Sequence, residues 1–181
     1  MEQTCKEYNE IYRDTKRYKD HYSKSIYYPL WRKIVHILKN LNDPHILEIG
    51  CGTGQLAHYL YDEKLRNYQG FDFSEEAIKI AKSKSPQNFM VADAYDKKNY
   101  EGDYNIAIAT EVLEHIKEDI GVIKNLKKDT RLIFSVPTFY CKGHLRYFKS
   151  GIKIMNHYFD CLNIKRLMNF KYWLLGLGVV K

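Results

Sequence analysis

Two rhythms of apolar and polar positions alternate along the 181 residues. Over 24–39, KSIYYPLWRKIVHILK, apolar residues recur at Leu30, Ile34, Ile37 and Leu38, then Leu41. That is helical spacing, with Pro29 near the first turn and NDPH (42–45) as the break. HILEIG (45–50) is a short apolar run closed by glycine and reads as a strand. GQLAHYLYDEK (54–64) reads as a helix and NYQGFDF (67–73) as a strand. SEEAIKIAKSK (74–84) is a helix with Ser74 as its N-cap. NFMVAD (88–93) and YNIAIAT (104–110) are strands, and 111–128 is a turn followed by a helix. TRLIFSVP (130–137) is a strand stopped by Pro137. The stretch 138–158 is a loop plus a short helix, and CLNIKRLMNF and KYWLLGLGVVK are two closing strands, read as a hairpin. Such alternation predicts an α/β fold: a parallel sheet with helices on both faces and right-handed crossovers. Ligands of such sheets sit beyond the carboxyl ends of the strands, at the switch point.

Composition adds limits. Hydrophobic residues are 45% and charged residues 28%, which suits one compact globular domain. The N-terminus has no apolar signal-like run, and YWLLGLGVV is too short to span a bilayer. The four cysteines, Cys5, Cys51, Cys141 and Cys161, form no C-x-x-C pair, so a cytoplasmic location is expected. The net charge of +7 is uneven: residues 142–171 hold seven Lys/Arg against Asp160 alone. A basic stretch of this kind suits an anionic partner.

The densest chemical signal is HILEIGCGTGQLAHYL (45–60), with Gly50, Gly52 and Gly54 between a strand and a helix. Bare backbone there permits a sharp turn and close approach of a ligand. A dinucleotide fingerprint needs Gly or Ala where Gln55 stands, and no G-K-[ST] follows for a phosphate loop. Glu48, two residues before the first glycine, would repel a pyrophosphate but suits a cation.

LEIGCGTG resembles the E-x-G-x-G-x-G signature of class I S-adenosylmethionine-dependent methyltransferases. The resemblance covers about 45–137 and implies a Rossmann-like sheet of seven mostly parallel strands, the last antiparallel. It implies S-adenosyl-L-methionine as cofactor. Glu48, Gly50, Cys51, Gly52, Gly54 and Gln55 would lie along its methionine portion. Asp72 in GFDFS, with Phe73, would take the ribose. Asp93 and Ala94 in VADAYD would take the adenine. Thr110 and Glu111 in IAIATEVLEHI would lie beside the methyl donor. Residues 1–44 would form a helical cap, and 45–181 the cofactor-binding domain.

The acceptor is less defined. His115 and His144 are the candidate bases. Arg146 offers a charge for a phosphate or carboxylate. Tyr22, within the Tyr-rich N-terminal segment, offers a ring for a sugar or a base. Glu111, Glu114 and His115 form E-x-x-E-H, which resembles the ligand set of metal-dependent small-RNA 2′-O-methyltransferases. Mg²⁺ or Mn²⁺ would fit there, with His144 or His157 as a fourth ligand. The same run is similar to metal-free ubiquinone-type O-methyltransferases, and a metal-free site is the expectation. Only 44 residues follow the fifth strand, few for a large nucleic-acid surface. The expected acceptor is therefore a small molecule, a sugar or glycan precursor among the choices, methylated on oxygen or nitrogen. RNA methylation and a non-catalytic cofactor-binding scaffold are the alternatives.

Overall fold

The computed structural model describes residues 2–170 and 172–181. Seven strands form one mixed sheet of order β3-β2-β1-β4-β5-β7-β6. The chain divides into two compact units, Thr4–Ala94 and Tyr95–Lys181, the latter with Glu2 and Gln3. The N-terminal helices therefore belong to the same unit as the first three strands.

In Thr4–Ala94, β1 (Ile46–Ile49), β2 (Tyr68–Asp72) and β3 (Asn88–Val91) run parallel. All four residues of β1 are buried, as a strand covered on both faces requires. Helix α2 (Tyr28–Lys39) starts with proline in its first turn, where a missing N–H does no harm. It buries Leu30, Trp31, Ile34, Val35 and Leu38, the expected stripe. Helices α3 (Gln55–Asp62) and α4 (Glu75–Lys84) follow β1 and β2. Ser74 caps α4 by accepting from the Ala77 N–H at 3.1 Å. Ahead of these lies α1 (Cys5–Asp14), an element the apolar spacing does not announce. Its start is set by a reciprocal box in which Glu7 N donates to Thr4 Oγ1 and Thr4 N donates to Glu7 Oε2.

In Tyr95–Lys181, β4 (Ile106–Ala109) and β5 (Arg131–Pro137) run parallel, with α5 (Asp119–Asn125) between them. The helix read into 111–128 is thus limited to two turns, and 110–118 is a chain of bends and turns. After α6 (Gly151–His157), β6 (Leu162–Phe170) and β7 (Trp173–Val180) form the antiparallel hairpin. Lys171, read as the start of the closing strand, lies outside the described residues. β7 pairs antiparallel with β5 and sets Gly176 opposite Phe134. A Cβ at Gly176 would overlap the Phe134 ring, so the glycine is what lets that ring lie flat on β7. No described helix is long and apolar enough to cross a membrane.

Candidate active site

Within Thr4–Ala94, the turn after β1 is built by three left-handed glycines: Gly50 at φ 65°, Gly52 at φ 52° and Gly54 at φ 71°. Gly54 is also constrained by packing, since a Cβ would stand 2.8 Å from that of Ala81. The turn is pinned from β2. Cys51 N donates to Phe71 O at 2.9 Å, and Gly52 N donates to Asp72 Oδ2 at 2.9 Å. The other oxygen, Oδ1, accepts from Ser74 N at 2.9 Å. Asp72 is 5% exposed, and burial raises its carboxyl to about 6 against the pull of the two N–H donors. Each oxygen holds one N–H and keeps an acceptor position for a further donor.

Glu48 also has a partner across the sheet. It lies on β1 opposite Gly70, and the Tyr68 hydroxyl donates to Glu48 Oε2 at 2.5 Å. Burial raises the Glu48 carboxyl to about 8, against the pull of the Tyr68 hydrogen bond. Gly70 makes the arrangement possible, because a Cβ there would collide with the Tyr68 hydroxyl.

Helix α1 lies over this turn. The Tyr12 hydroxyl is 3.3 Å from the position of a Cβ on Gly52, and Tyr8 meets Phe73 edge-on at 5.2 Å. Asn9 Oδ1 accepts from Ser74 Oγ at 2.5 Å, and Cys5 Sγ donates to Phe73 O at 3.1 Å. Thr53 Oγ1 donates to Tyr18 O at 2.6 Å, and Gln55 Nε2 donates to Asp20 O at 2.8 Å and Arg17 O at 3.2 Å. Gln55 therefore fastens the N-terminal segment through its side-chain N–H groups. Tyr22 is elsewhere: it donates to Asp62 Oδ2 at 2.8 Å and stacks on Tyr59 near the end of α3. The ring that meets the glycine turn is Tyr12. Asp93, exposed, and Ala94 follow β3, beyond Val91.

Within Tyr95–Lys181, Thr110 and Glu111 follow β4. Glu111 has φ 57°, rare for a side-chain-bearing residue. Three hydrogen bonds hold it there. Its N–H donates to Ser135 Oγ at 3.0 Å, Ser135 Oγ donates to Oε1 at 2.9 Å, and Trp173 Nε1 donates to Oε2 at 2.8 Å. Burial raises its carboxyl to about 7.

The next turn carries Glu114 and His115. Glu114 is fully buried; burial, then the charge of Glu111, pushes its carboxyl well up. His115 Nδ1 lies 3.1 Å from Gly143 O, so Nδ1 carries the proton and donates. Burial lowers its pKa to about 4, and that of His144 moves the same way. The two rings stand edge to face at 4.9 Å. Both imidazoles are thus neutral at pH 7.

Two expected roles are corrected here. Arg146 donates through Nη1 to Leu113 O and Ile116 O, donates through Nη2 to Lys117 O at 2.8 Å, and pairs with Asp119 at 3.3 Å. Its guanidinium is committed to the 113–119 turn rather than to an anion. His157 Nε2 is 2.9 Å from Asp119 Oδ2, which also accepts from the Tyr158 hydroxyl at 2.9 Å, so His157 is not a fourth member of the Glu114 group.

A family model described as "Methyltransferase domain" matches residues 22–177. The chain belongs to this methyltransferase-domain family. It is 25% identical over 138 residues to a ubiquinone biosynthesis O-methyltransferase of Hydrogenovibrio crunogenus, covering 71% of this chain and 57% of that protein. It is 28% identical over 126 residues to the protein of that name in Coxiella burnetii, covering 65% and 53%. The chain thus spans just over half the length of these curated relatives. Among solved structures, magnesium protoporphyrin IX methyltransferase from Synechocystis, with bound S-adenosylmethionine, superposes at TM-score 0.71. That match has 22% identity and covers 98% of this chain and 97% of that one.

Three residues engaged here are not singled out in the sequence: Tyr68 in Thr4–Ala94, and Ser135 and Trp173 in Tyr95–Lys181; Tyr12 stands there only as one of several aromatics of the N-terminal segment. T-C-K-E at 4–7 is a capping-box signal that would have found α1, and with it Tyr12. Trp173 and Ser135 belong to one ladder, seen only once β5 and β7 are paired.

Proposed function

We propose that this protein transfers a methyl group from S-adenosylmethionine to a hydroxyl of a small molecule. The observation that carries the reading is the triple-glycine turn locked to Asp72, with an acceptor position left on each carboxylate oxygen. The backbone at Gly50, Cys51, Gly52 and Gly54 would hold the amino-acid tail. Asp72 would accept from the ribose hydroxyls, with Phe73, Asp93 and Ala94 around the adenine. Thr110 and Glu111 are assigned to the methyl-donor end. When bound, the cofactor supplies a methyl already activated by its sulfonium charge, so this chain's residues need only orient the acceptor and remove one proton. His115 and His144, neutral at pH 7, are the groups able to take it.

The O-methyltransferase names of the relatives favour oxygen over nitrogen. A phenolic ring or a sugar of a glycan precursor both fit that chemistry, and the exposed Phe139, Tyr140 and Tyr172 offer faces to stack either. The basic stretch 142–171 favours an anionic acceptor.

The test is calorimetric titration of S-adenosylhomocysteine into the purified chain. Saturable binding is expected, weakened about 10- to 100-fold by Asp72→Asn through loss of charge-assisted bonds. Absence of binding to the unmodified chain would overturn the reading and leave a scaffold. Methyl transfer from labelled cofactor to a panel of catechols and sugars would then name the acceptor.

A further inference from the structure

Among the described residues, three buried side-chain atoms lack a hydrogen-bond partner: both carboxylate oxygens of Glu114 and Nδ1 of His144. All three fall in one cluster. Leaving a fully buried carboxyl without a donor is costly whether it is charged or neutral, because its hydration is lost and nothing replaces it. One occupant between these residues would give the carboxylate and a ring nitrogen of His144 a common partner. We propose that Glu114, His115 and His144 hold a divalent transition-metal ion.

The geometry is close to that of a site. One ligand atom from each residue lies within 4.8 Å of the other two. Ligands about 2.1 Å from a shared ion stand about 3.5 Å apart, so a small inward movement completes the triad. Glu114 and His115 share one turn, whose position Arg146 fixes through three backbone carbonyls. His144 is carried by the irregular stretch between β5 and α6, the part best able to shift. The Gly143 carbonyl accepts from His115 Nδ1, the kind of outer hydrogen bond that sets the tautomer of a ligating imidazole.

The ligand set differs from E-x-x-E-H. Glu111 is taken by Ser135 and Trp173, and His157 by Asp119. The set that lies together is two imidazoles and one carboxylate. That combination, with coordination positions left over, suits Zn²⁺, Mn²⁺ or Fe²⁺ better than Mg²⁺, which takes oxygen ligands. It departs from the metal-free expectation, and the unpartnered atoms are the reason. Resting on the methyl-transfer reading, a remaining position would take the acceptor's hydroxyl oxygen. The ion would lower that hydroxyl's pKa; with both imidazoles ligating, neither serves as the base, and the proton would pass to solvent. The second titratable cluster, His21, His58 and Asp62, is partly exposed, and Asp62 already accepts from Tyr22. It serves as the control.

The metal-stripped chain should be titrated with Zn²⁺ and with Mn²⁺ by calorimetry, without cofactor, and with Mg²⁺ for comparison. The expected result is one Zn²⁺ or Mn²⁺ per chain, weakened at least about tenfold by Glu114→Gln and by His144→Asn and unaffected by His58→Asn. Where Glu114→Gln fails to fold, His144→Asn alone tests the site, because it alters a half-buried loop residue. Co²⁺ in the intact chain should give visible absorption that His144→Asn removes. No binding of either ion, or binding insensitive to His144→Asn, would overturn the proposal. S-adenosylhomocysteine binding is measured separately, so the metal site and the methyl-transfer reading fail independently.

Discussion

Glu48 makes stability depend on pH in an uncommon direction. Its folded carboxyl sits at about 8, against 4.5 in an unfolded chain. The folded state therefore holds a proton that the unfolded state has released throughout that window. Where the native state binds more protons, unfolding free energy falls as pH rises. Each pH unit inside the window removes about 1.4 kcal/mol, so the full shift is about 5 kcal/mol and the interval from pH 6 to 8 about 2 kcal/mol. Asp72, raised to about 6, adds the same sign at lower pH. His115, lowered to about 4, has the opposite one, since its stability contribution is lost as pH falls toward 4. Glu48→Gln isolates the effect, because the amide oxygen still accepts from Tyr68 and nothing at 48 titrates. Urea unfolding at steps between pH 5.5 and 8.5 would read it. The variant should gain on the parent steadily from pH 6 to 8. Parallel curves would refute the assignment of that proton to Glu48.

Three further outcomes follow from packing. Gly176→Ala should destabilise the chain by about 2–3 kcal/mol in urea unfolding, since its Cβ must displace the buried Phe134 ring; a change under about 0.5 kcal/mol would contradict the pairing of β5 with β7. Arg146→Ala should cost about 3 kcal/mol by the same measurement, and Arg146→Lys should recover little, because an ammonium cannot reproduce a fork that binds three carbonyls and Asp119. Iodoacetamide at pH 8 should modify exposed Cys141 well before Cys51, whose thiol burial pushes up, as peptide mass spectrometry would show; equal rates would contradict the burial of the glycine turn.

The elements legible in the sequence were those whose pattern is local. Ile46–Ile49 and Ile106–Ala109 are apolar at every position because both of their faces are covered, and Ser74 announces α4 by its own side chain. The three glycines showed a turn, and Asp72 the end of a strand. What the chain could not show is the use each polar group finds across the sheet. Glu48 reads as an anion beside a ligand until β1 and β2 are in register, where Gly70 leaves room for Tyr68 to reach it. Arg146 reads as an anion holder until the turn at 113–119 presents three carbonyls to it.

E-x-x-E-H shows the same division between pattern and use. Sequence spacing makes Glu111 and Glu114 equivalent, two acids three apart on what the chain reads as the approach to a helix. The structure separates them because α5 begins only at Asp119, so the intervening residues turn instead of coiling. Glu111 takes a left-handed backbone, and that strain is tolerable because Ser135 and Trp173 supply three hydrogen bonds to it. Glu114, one turn on, receives none and is fully buried. Two acids of one motif thus end with opposite accounts: the first is held by side chains of two other strands, while the second has no hydrogen bond from another residue and only the nearby charge of Arg146 in its favour. A buried carboxyl is kept in that state at a cost in stability, and two imidazoles beside it give the cost a use. Replacing Glu114 by leucine of similar volume separates the two: the chain should gain stability in chelator and lose its response to Zn²⁺. A chain made less stable in chelator would mean that Glu114 is held by the fold itself.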